Sequence, residues 1–494
     1  MCSPPYTPHR IFLKTPRRAV SALRFWSAAA RSAMRGVISL GKFFAAVFVG
    51  VASLHAAATA QTGSEPSPQQ GRSGGSETRP NFVFILADDL GWGDVGYHQS
   101  PIPTPHLDRL AAEGVRLERH YVSPVCSPTR AGLMTGRYWS RFGITMPGSR
   151  ECLPDGTPTV ASVLRKAGYR TAITGKWHLG GASLPSKWPG AFGFDHFYGC
   201  LDGHAHPFTH VYTSGGGRGD DGVGVQTWNR NGQFIEEEGH VTDLITREAT
   251  SWIEGNRGQP FFLYVPYTAP HVKCLDTPEW VAKCAHVPAA WRNYAAMVAH
   301  LDDGVGRIAA TLDRLGLREN TLIVFSSDNG GHVTTQPFRG AKGSVWEGGV
   351  RGVAWANWPA QLGVGVSSEP VCIVDWMPTF CGLAKVEAPA RMDGRDLWPM
   401  LSQAKVSGEL RSLYLLGTDG ETAALVEGDW KLIRKPEGTE LYHLPSDSRE
   451  KNDRSAFEQE RTQRMQETMR RVSANDRDSL DPHTKGPVGP RKAF

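Results

Sequence analysis

Hydrophobic and polar positions along the 494-residue chain follow two different periods. The runs NFVFILA at 81–87, FFLYVPY at 261–267 and TLIVF at 321–325 are continuously apolar and of strand length, the pattern of strands buried on both faces. Between them, apolar residues recur every three or four positions. Thr104 and Pro105 open PHLDRLAAEG, which Gly114 stops, and Thr157 and Pro158 open TVASVLRKAG, which Gly168 stops. Further helices are predicted over about 242–254 and 294–315. This alternation predicts an α/β fold with a large, mostly parallel or mixed central sheet sandwiched by helices. Residues 199–232, rich in Gly and His and without periodicity, read as a long loop system beside a site. Past residue 400 short alternating segments, ALVEGDWKLIR and ELYHLPSD, predict a smaller C-terminal α+β subdomain over 401–494 with a loose polar tail, after a main domain over 81–400.

The first 80 residues stand apart. The apolar run 43–54 follows Lys42 and precedes Ala58-Thr59-Ala60, a small-x-small cleavage pattern before Gln61, so residues 1–60 read as a leader with a secretory signal peptide. MRGVISLGKFF alone has the short basic start of such a signal, which makes Met34 an alternative first residue. The run is too short for a stable membrane span. Residues 61–80, polar and rich in Gly, Ser and Pro, read as a disordered linker. Export to the periplasm or the cell exterior through the secretion machinery is the expectation. Without the eight basic residues of the first sixty, the 54 Lys and Arg fall to 46 against 49 Asp and Glu, a balance of −3 rather than +5. No nucleic-acid-binding body is indicated. Eight cysteines include Cys2 in the leader and Cys126; the remaining six fit an oxidising compartment, with Cys274–Cys284 and Cys372–Cys381 as short-loop disulfide candidates among several pairings.

Chemistry is expected where strands end. Asp88 and Asp89 follow one strand and Asp328 and Asn329 another, a hard oxygen set that suits Ca²⁺ better than Mg²⁺, although each pair alone is also a common turn former. Lys176, His178 and His271 follow other strands, and Lys342 lies in the Gly-rich FRGAKGSVWEGG. With Arg130 these groups are suited to cradling a tetrahedral dianion while histidines move protons. In PVCSPTRAGLMTGR, Ser127 reads as an N-cap and Pro128 as the first helical position, which places Cys126 just ahead of a helix N-terminus that favours anions. Arg130 is four residues after Cys126 rather than six, so a C-x5-R cysteine phosphatase is excluded. GRGDDG at 217–222 matches G-x-G-x-x-G but follows no strand, and reads as a turn-rich loop. His204, His206 and His210 fit a transition metal, a substrate cleft or an ordinary surface loop.

Five segments in order, NFVFILADDLGWGDVGY, CSPTRAGLMTGRY, GKWHLG, SSDNGG and GDWKLIRKPEGTELYHLPSDSREKND, resemble the formylglycine-dependent sulfatases of the alkaline-phosphatase superfamily. The resemblance implies an alkaline-phosphatase-like fold and a Cys126 oxidised by a maturation enzyme to formylglycine, hydrated to a geminal diol. It implies one Ca²⁺ held by Asp88, Asp89, Asp328, Asn329 and an oxygen of residue 126. Arg130 then stabilises the diol, Lys176 and Lys342 hold sulfate oxygens, His271 with Lys342 protonates the leaving alcohol, and His178 takes a proton from the second hydroxyl. One hydroxyl attacks sulfur; the other lets sulfate leave by C–O cleavage. The stretch from Ala87 through His120, and RGAKGSVWEGGVRGV, look most similar to the arylsulfatase B group, which implies a substrate resembling N-acetylgalactosamine 4-sulfate or another polysaccharide sulfate, with His204, His206 and His210 as substrate-binding candidates. The competing readings are a phosphate mono- or diester hydrolase on the same scaffold and a non-catalytic binder of sulfated glycans.

Overall fold

The computed structural model describes residues 79–147, 153–213, 224–271, 273–403 and 410–476. The leader, the linker up to residue 78, Cys152, the 217–222 loop and the tail beyond 476 lie outside the described residues. Among the described residues no helix is long and apolar enough to cross a membrane.

The three apolar runs become the strands Asn81–Ala87, Phe261–Pro266 and Thr321–Ser327 at the centre of a ten-stranded sheet, every residue of each buried. Thr321–Ser327, Asn81–Ala87, Phe261–Pro266, Arg170–Thr174 and His196–Cys200 are five neighbours running parallel. Antiparallel strands flank them, Ala354–Asn357 on one side and Trp228–Arg230 on the other. Five consecutive carboxyl ends therefore open on one edge. Ala87 pairs with Ser327 in register, so the residues that follow each strand start side by side.

Alternation along Asn81–Ala87 divides the core. Phe82, Phe84 and Leu86 join one cluster, and Val83, Ile85 and Ala87 the other. Phe82 packs on Phe380 of the helix Trp376–Leu383 at 4.8 Å between ring centroids, while the opposite face is covered by the helices Val241–Asn256 and Arg292–Arg314. Each such aromatic or branched side chain contributes roughly 1.5–3 kcal/mol by leaving water.

The C-terminal part is a four-stranded antiparallel sheet, Ser412–Leu416, Ala423–Glu427, Trp430–Lys435 and Gly438–His443, with the helix Gln459–Ser473. One face, with Tyr414, Leu425, Leu432 and Leu441 in register across the four strands, belongs to the same core cluster as Phe82. The C-terminal part also carries a fully buried charge network. Lys431 Nζ lies 2.8 Å from Glu347 Oε1 and 2.9 Å from Glu450 Oε1, and the Glu347 backbone N–H donates to Glu450 Oε2 at 2.7 Å.

Several expectations are corrected. The helix placed after Thr157 begins later, at Val160–Lys166, because Thr159 and Ser162 form a reciprocal capping box. Residues 199–232 are not all loop: Trp228–Arg230 extends the sheet because Trp228 is buried against Tyr198, 5.1 Å between centroids. The disulfide candidates are not formed, and Cys274, Cys284, Cys372 and Cys381 are free thiols. Cys274 Sγ instead faces the Pro270 carbonyl oxygen at 3.6 Å, and Cys372 caps the turn that leads to the helix carrying Cys381. Burial pushes the Cys372 thiol up to about 12 and that of Cys381 up to about 11, which keeps both protonated.

Candidate active site

Each of the five parallel strands delivers polar groups to the shared edge. Asp88 and Asp89 follow Ala87, Asp328 and Asn329 follow Ser327, Lys176 and His178 follow Thr174, His271 follows Pro266, and His204 follows Cys200. Asp89 (φ 70°) and His178 (φ 55°) sit in the left-handed region, a backbone cost of order 1–3 kcal/mol that surrounding contacts hold in place.

Cys126 arrives from a different element. It is the first residue of the helix Cys126–Thr135, preceded by the extended Val125, and Gly136 (φ 65°) ends the helix. Ser127 is therefore not the N-cap; its hydroxyl donates to the His178 carbonyl oxygen at 3.0 Å, tying the helix start to the Lys176–His178 turn. Cys126 Sγ lies 3.3 Å from His178 Nδ1, and Asp88, Cys126 and Asp328 each offer an atom within 4.8 Å of the others.

Three carboxylates and three fixed cations interlock here. Lys176 Nζ donates to Asp88 Oδ2 at 2.6 Å. Arg130 Nη2 donates to Asp328 Oδ2 at 2.7 Å and lies 3.7 Å from Asp88 Oδ1. Lys342 Nζ donates to Asp89 Oδ2 at 2.8 Å, and Asn329 Nδ2 donates to Asp89 Oδ1 at 2.8 Å. Asp88, Asp328, Arg130 and Lys176 are fully buried, whereas the side chains of Lys342 and His271 keep 20% and 13% of their surface, so these two stand at the mouth.

The electrostatics follow from that packing. Burial and the neighbouring Asp88 carboxylate push Asp328 up to about 6, even with Arg130 and Lys176 opposing. Burial acts the same way on Asp89 but is outweighed by His271, Lys342 and His332, which hold its carboxyl below the usual range. Burial, with Lys176 and Arg130 close by, drives His178 well below the ordinary imidazole range and keeps the ring neutral. Burial also raises the Cys126 thiol against the pull of Lys176 and Lys342.

The donor set fits a hard divalent cation. Asp88 Oδ1 and Asn329 Oδ1, both buried acceptors, have no hydrogen-bond partner among the described residues. Orphaned oxygens of that kind are costly unless an ion takes them. Three carboxylates and an amide oxygen are the chemistry of a Ca²⁺ or Mg²⁺ site.

Of the three histidines in the 199–232 region, the structure brings only His204 to this edge, its ring stacked on His271 at 5.7 Å. His206 Nδ1 accepts from the Phe208 and Thr209 backbone N–H groups, and His210 Nε2 faces the Gly239 carbonyl oxygen at 2.9 Å; both close their own loop. Sequence reasoning passed over His332, whose Nδ1 is 3.4 Å from Asp89 Oδ2. Its place three residues after Asn329, past two glycines, was the available signal.

Two glycine contacts fix the spacing of the loops. A Cβ on Gly330 would stand 1.9 Å from the Gly348 carbonyl oxygen, and one on Gly331 would stand 2.9 Å from the Gly91 Cα. The loops that carry Asp328, Lys342 and Asp89 thus touch main chain to main chain.

A wide, mostly parallel sheet with a buried acid, amide and cation cluster at its carboxyl edge and a cysteine at a helix start defines the alkaline-phosphatase-like class of ester hydrolase folds. The sulfatase family profile matches residues 80–386, and the chain belongs to that family. It is 37% identical over 371 residues to arylsulfatase J of Mus musculus, an alignment spanning 70% of this chain and 59% of that protein. It is 33% identical over 367 residues to N-acetylgalactosamine-6-sulfatase of Mus musculus, spanning 67% of this chain and 68% of that one. The chain therefore spans about three fifths of the length of arylsulfatase J. Among solved structures, Ps i-CgsB in complex with k-i-k-neocarrahexaose superposes with a TM-score of 0.76 at 31% identity, covering 82% of this chain and 94% of that one.

Proposed function

We propose that this protein is a sulfuric ester hydrolase that removes sulfate from a sulfated carbohydrate, with Cys126 converted to formylglycine by a maturation enzyme and one Ca²⁺ held by Asp88, Asp89, Asp328 and Asn329. The observation that carries the reading is the position of Cys126: a helix-start residue 3.3 Å from a neutral His178, with its sulfur within 4.8 Å of a carboxylate oxygen of both Asp88 and Asp328. The hydrate of formylglycine supplies one hydroxyl as nucleophile toward sulfur and a second that lets sulfate depart. Bound Ca²⁺ supplies positive charge that lowers the repulsion between an oxygen nucleophile and a sulfate ester.

The chain's own groups do the rest. Arg130 and Lys176, fully buried, fix the carboxylates and compensate the negative charge that gathers on the reacting oxygens. His178 accepts a proton from residue 126 through the Nδ1 that now faces the sulfur. Lys342 and His271, at the mouth, hold sulfate oxygens and deliver a proton to the departing alcohol. His204 orients His271 by stacking on it. The N-acetylgalactosamine-6-sulfatase relative and the neocarrahexaose-bound structure support a carbohydrate as the alcohol; the resemblance of residues 87–120 and of RGAKGSVWEGGVRGV to the arylsulfatase B group is what favours a 4-sulfated N-acetylgalactosamine or a comparable polysaccharide sulfate. Export through a signal peptide completes the reading.

Peptide mass spectrometry across Cys126 on protein from its native host, together with rates on aryl sulfate and aryl phosphate esters, tests it. The expected result is formylglycine at position 126 and a strong preference for sulfate. An unmodified thiol throughout overturns the nucleophile, and a preference for phosphate establishes the phosphoryl-transfer reading instead.

A further inference from the structure

One oxygen of the acid cluster is faced by more nitrogens than it can keep. Lys342 Nζ donates to Asp89 Oδ2 at 2.8 Å, while His332 Nδ1 and His271 Nε2 lie 3.4 and 3.6 Å from the same atom. In turnover Lys342 and His271 are assigned to the sulfate ester, so both leave this oxygen. His332 has no such task. A carboxylate only accepts hydrogen bonds, so the nitrogen turned to it presents N–H. Yet Nδ1 is buried and makes no hydrogen bond among the described residues, because Lys342 holds the oxygen it faces.

The frame around His332 holds its ring in place. Gly331, just before it, is so close to Gly91 that a Cβ there would stand 2.9 Å from the Gly91 Cα. The ring meets Tyr294 edge-on at 5.8 Å between centroids. Tyr294 is itself fixed, its Oη donating to Asp94 Oδ2 at 2.6 Å and accepting from the Gly91 N–H at 3.4 Å. Asp94 also accepts from the hydroxyl of Thr334, two residues past His332. On the other side of the ring, Nε2 lies 4.0 Å from Cys274 Sγ. Lys342 is tied to the same loop, since its backbone N–H donates to the Gly331 carbonyl oxygen at 3.1 Å. Ammonium and imidazole thus approach Asp89 Oδ2 from one frame. The ammonium rides a flexible four-carbon stem that can turn away, whereas the imidazole, on a single methylene and packed on Tyr294, stays.

We propose that His332 is a positioning residue for Asp89: its Nδ1–H takes over Asp89 Oδ2 when Lys342 swings to the sulfate, and so keeps this carboxylate in place for Ca²⁺. This rests on the sulfatase reading above. A hydrogen-bond partner of a metal-ligating carboxylate orients it, and losing such a partner weakens metal binding roughly 10–100-fold. Without His332, Lys342 has two anions to serve at once, Asp89 and the sulfate.

The test titrates Ca²⁺ calorimetrically into metal-free, formylglycine-bearing wild type, His332→Phe and His332→Asn, each with and without inorganic sulfate. Phenylalanine keeps a ring against Tyr294 but offers no N–H; asparagine loses the ring and keeps an N–H donor near the place of Nδ1. With sulfate present, His332→Phe raises the Ca²⁺ Kd about tenfold, and without sulfate, where Lys342 remains on Asp89, the loss is smaller. His332→Asn stays within about threefold of wild type in both conditions. A His332→Phe Kd within about twofold of wild type in sulfate overturns the inference. So does a loss of the same size with and without sulfate, or one as large in His332→Asn as in His332→Phe, since either marks a structural role for the ring. Wild type that binds no Ca²⁺ in either condition refutes the calcium assignment of the sulfatase reading, and the role of His332 with it.

Discussion

Replacing Lys431 with methionine removes the cation that joins the C-terminal sheet to the loop carrying Lys342. Lys431, Glu347 and Glu450 are all fully buried, with Lys431 Nζ 2.8 and 2.9 Å from the two carboxylates. Methionine fills much of the same volume, so the loss is mainly that of charge pairing. Removing one partner of a buried pair costs about 3–5 kcal/mol because the other is left uncompensated. At ~2.1 cal/mol/K of unfolding entropy per residue over roughly 400 ordered residues, that is a fall of about 4–6 °C in Tm.

The pH dependence gives the sharper signature. Burial already pushes Glu450 up to about 7, with Lys431 holding it down and Glu347 pushing it further. Without Lys431 its pKa rises again, so the folded variant binds a proton that the unfolded chain, titrating near an ordinary 4.5, has released. Stability of the variant then falls as pH rises, and the Tm deficit is larger at pH 8 than at pH 5.5. Scanning calorimetry at the two pH values, with Lys431→Met/Glu450→Gln as the relieving double variant, measures this. A deficit below about 1 °C at pH 8, or one equal at both pH values, would refute the account of a buried, charge-compensating network.

Three further outcomes are expected. Stripping divalent ions with EGTA lowers Tm and abolishes aryl sulfate turnover, and Ca²⁺ at 100 times its dissociation constant returns about 2.7 kcal/mol of stability; a Tm that does not respond to Ca²⁺ refutes the ligand set. Gly330→Ala, whose Cβ would stand 1.9 Å from the Gly348 carbonyl oxygen, reduces kcat at least tenfold while the protein stays folded by circular dichroism, whereas the open-lying Gly258→Ala leaves kcat unchanged. His300, held by Asp243 and Asp276 against the effect of burial, is raised from 6.5 to about 9, so its contribution to stability is full below pH 6.5 and is lost as pH rises through 9; His300→Gln flattens that slope in urea titrations.

Much of the site was legible because its residues follow strands that announce themselves. NFVFILA and TLIVF are apolar on both faces, and the acids after them stand at the carboxyl ends of adjacent, in-register strands. What lay beyond reading was set by tertiary contacts. Ser127 looked like a cap, but the helix begins one residue earlier and the hydroxyl serves the His178 carbonyl. Thr157 and Thr159 are equally good caps in isolation; only Thr159 has Ser162 to complete the box. The cysteine spacings suited short disulfides, yet the sulfurs are spent on a carbonyl contact and a turn cap. Trp228 joins the sheet through its contact with Tyr198, distant in sequence. The Lys431 network links residues 84 and 19 positions apart, which no local period can reveal.

The glycine contacts between the loops set how this protein can change. Where a side chain spaces two catalytic loops, a rotamer or a single methylene can move them. Here main chain abuts main chain at Gly330–Gly348 and Gly91–Gly331, so the separation of the acid cluster from Lys342 is set by van der Waals contact between backbones. The surrounding loop walls are free to vary in shape without moving the acid cluster relative to Lys342. Change at the rim can therefore proceed while the geometry of the cluster stays constant.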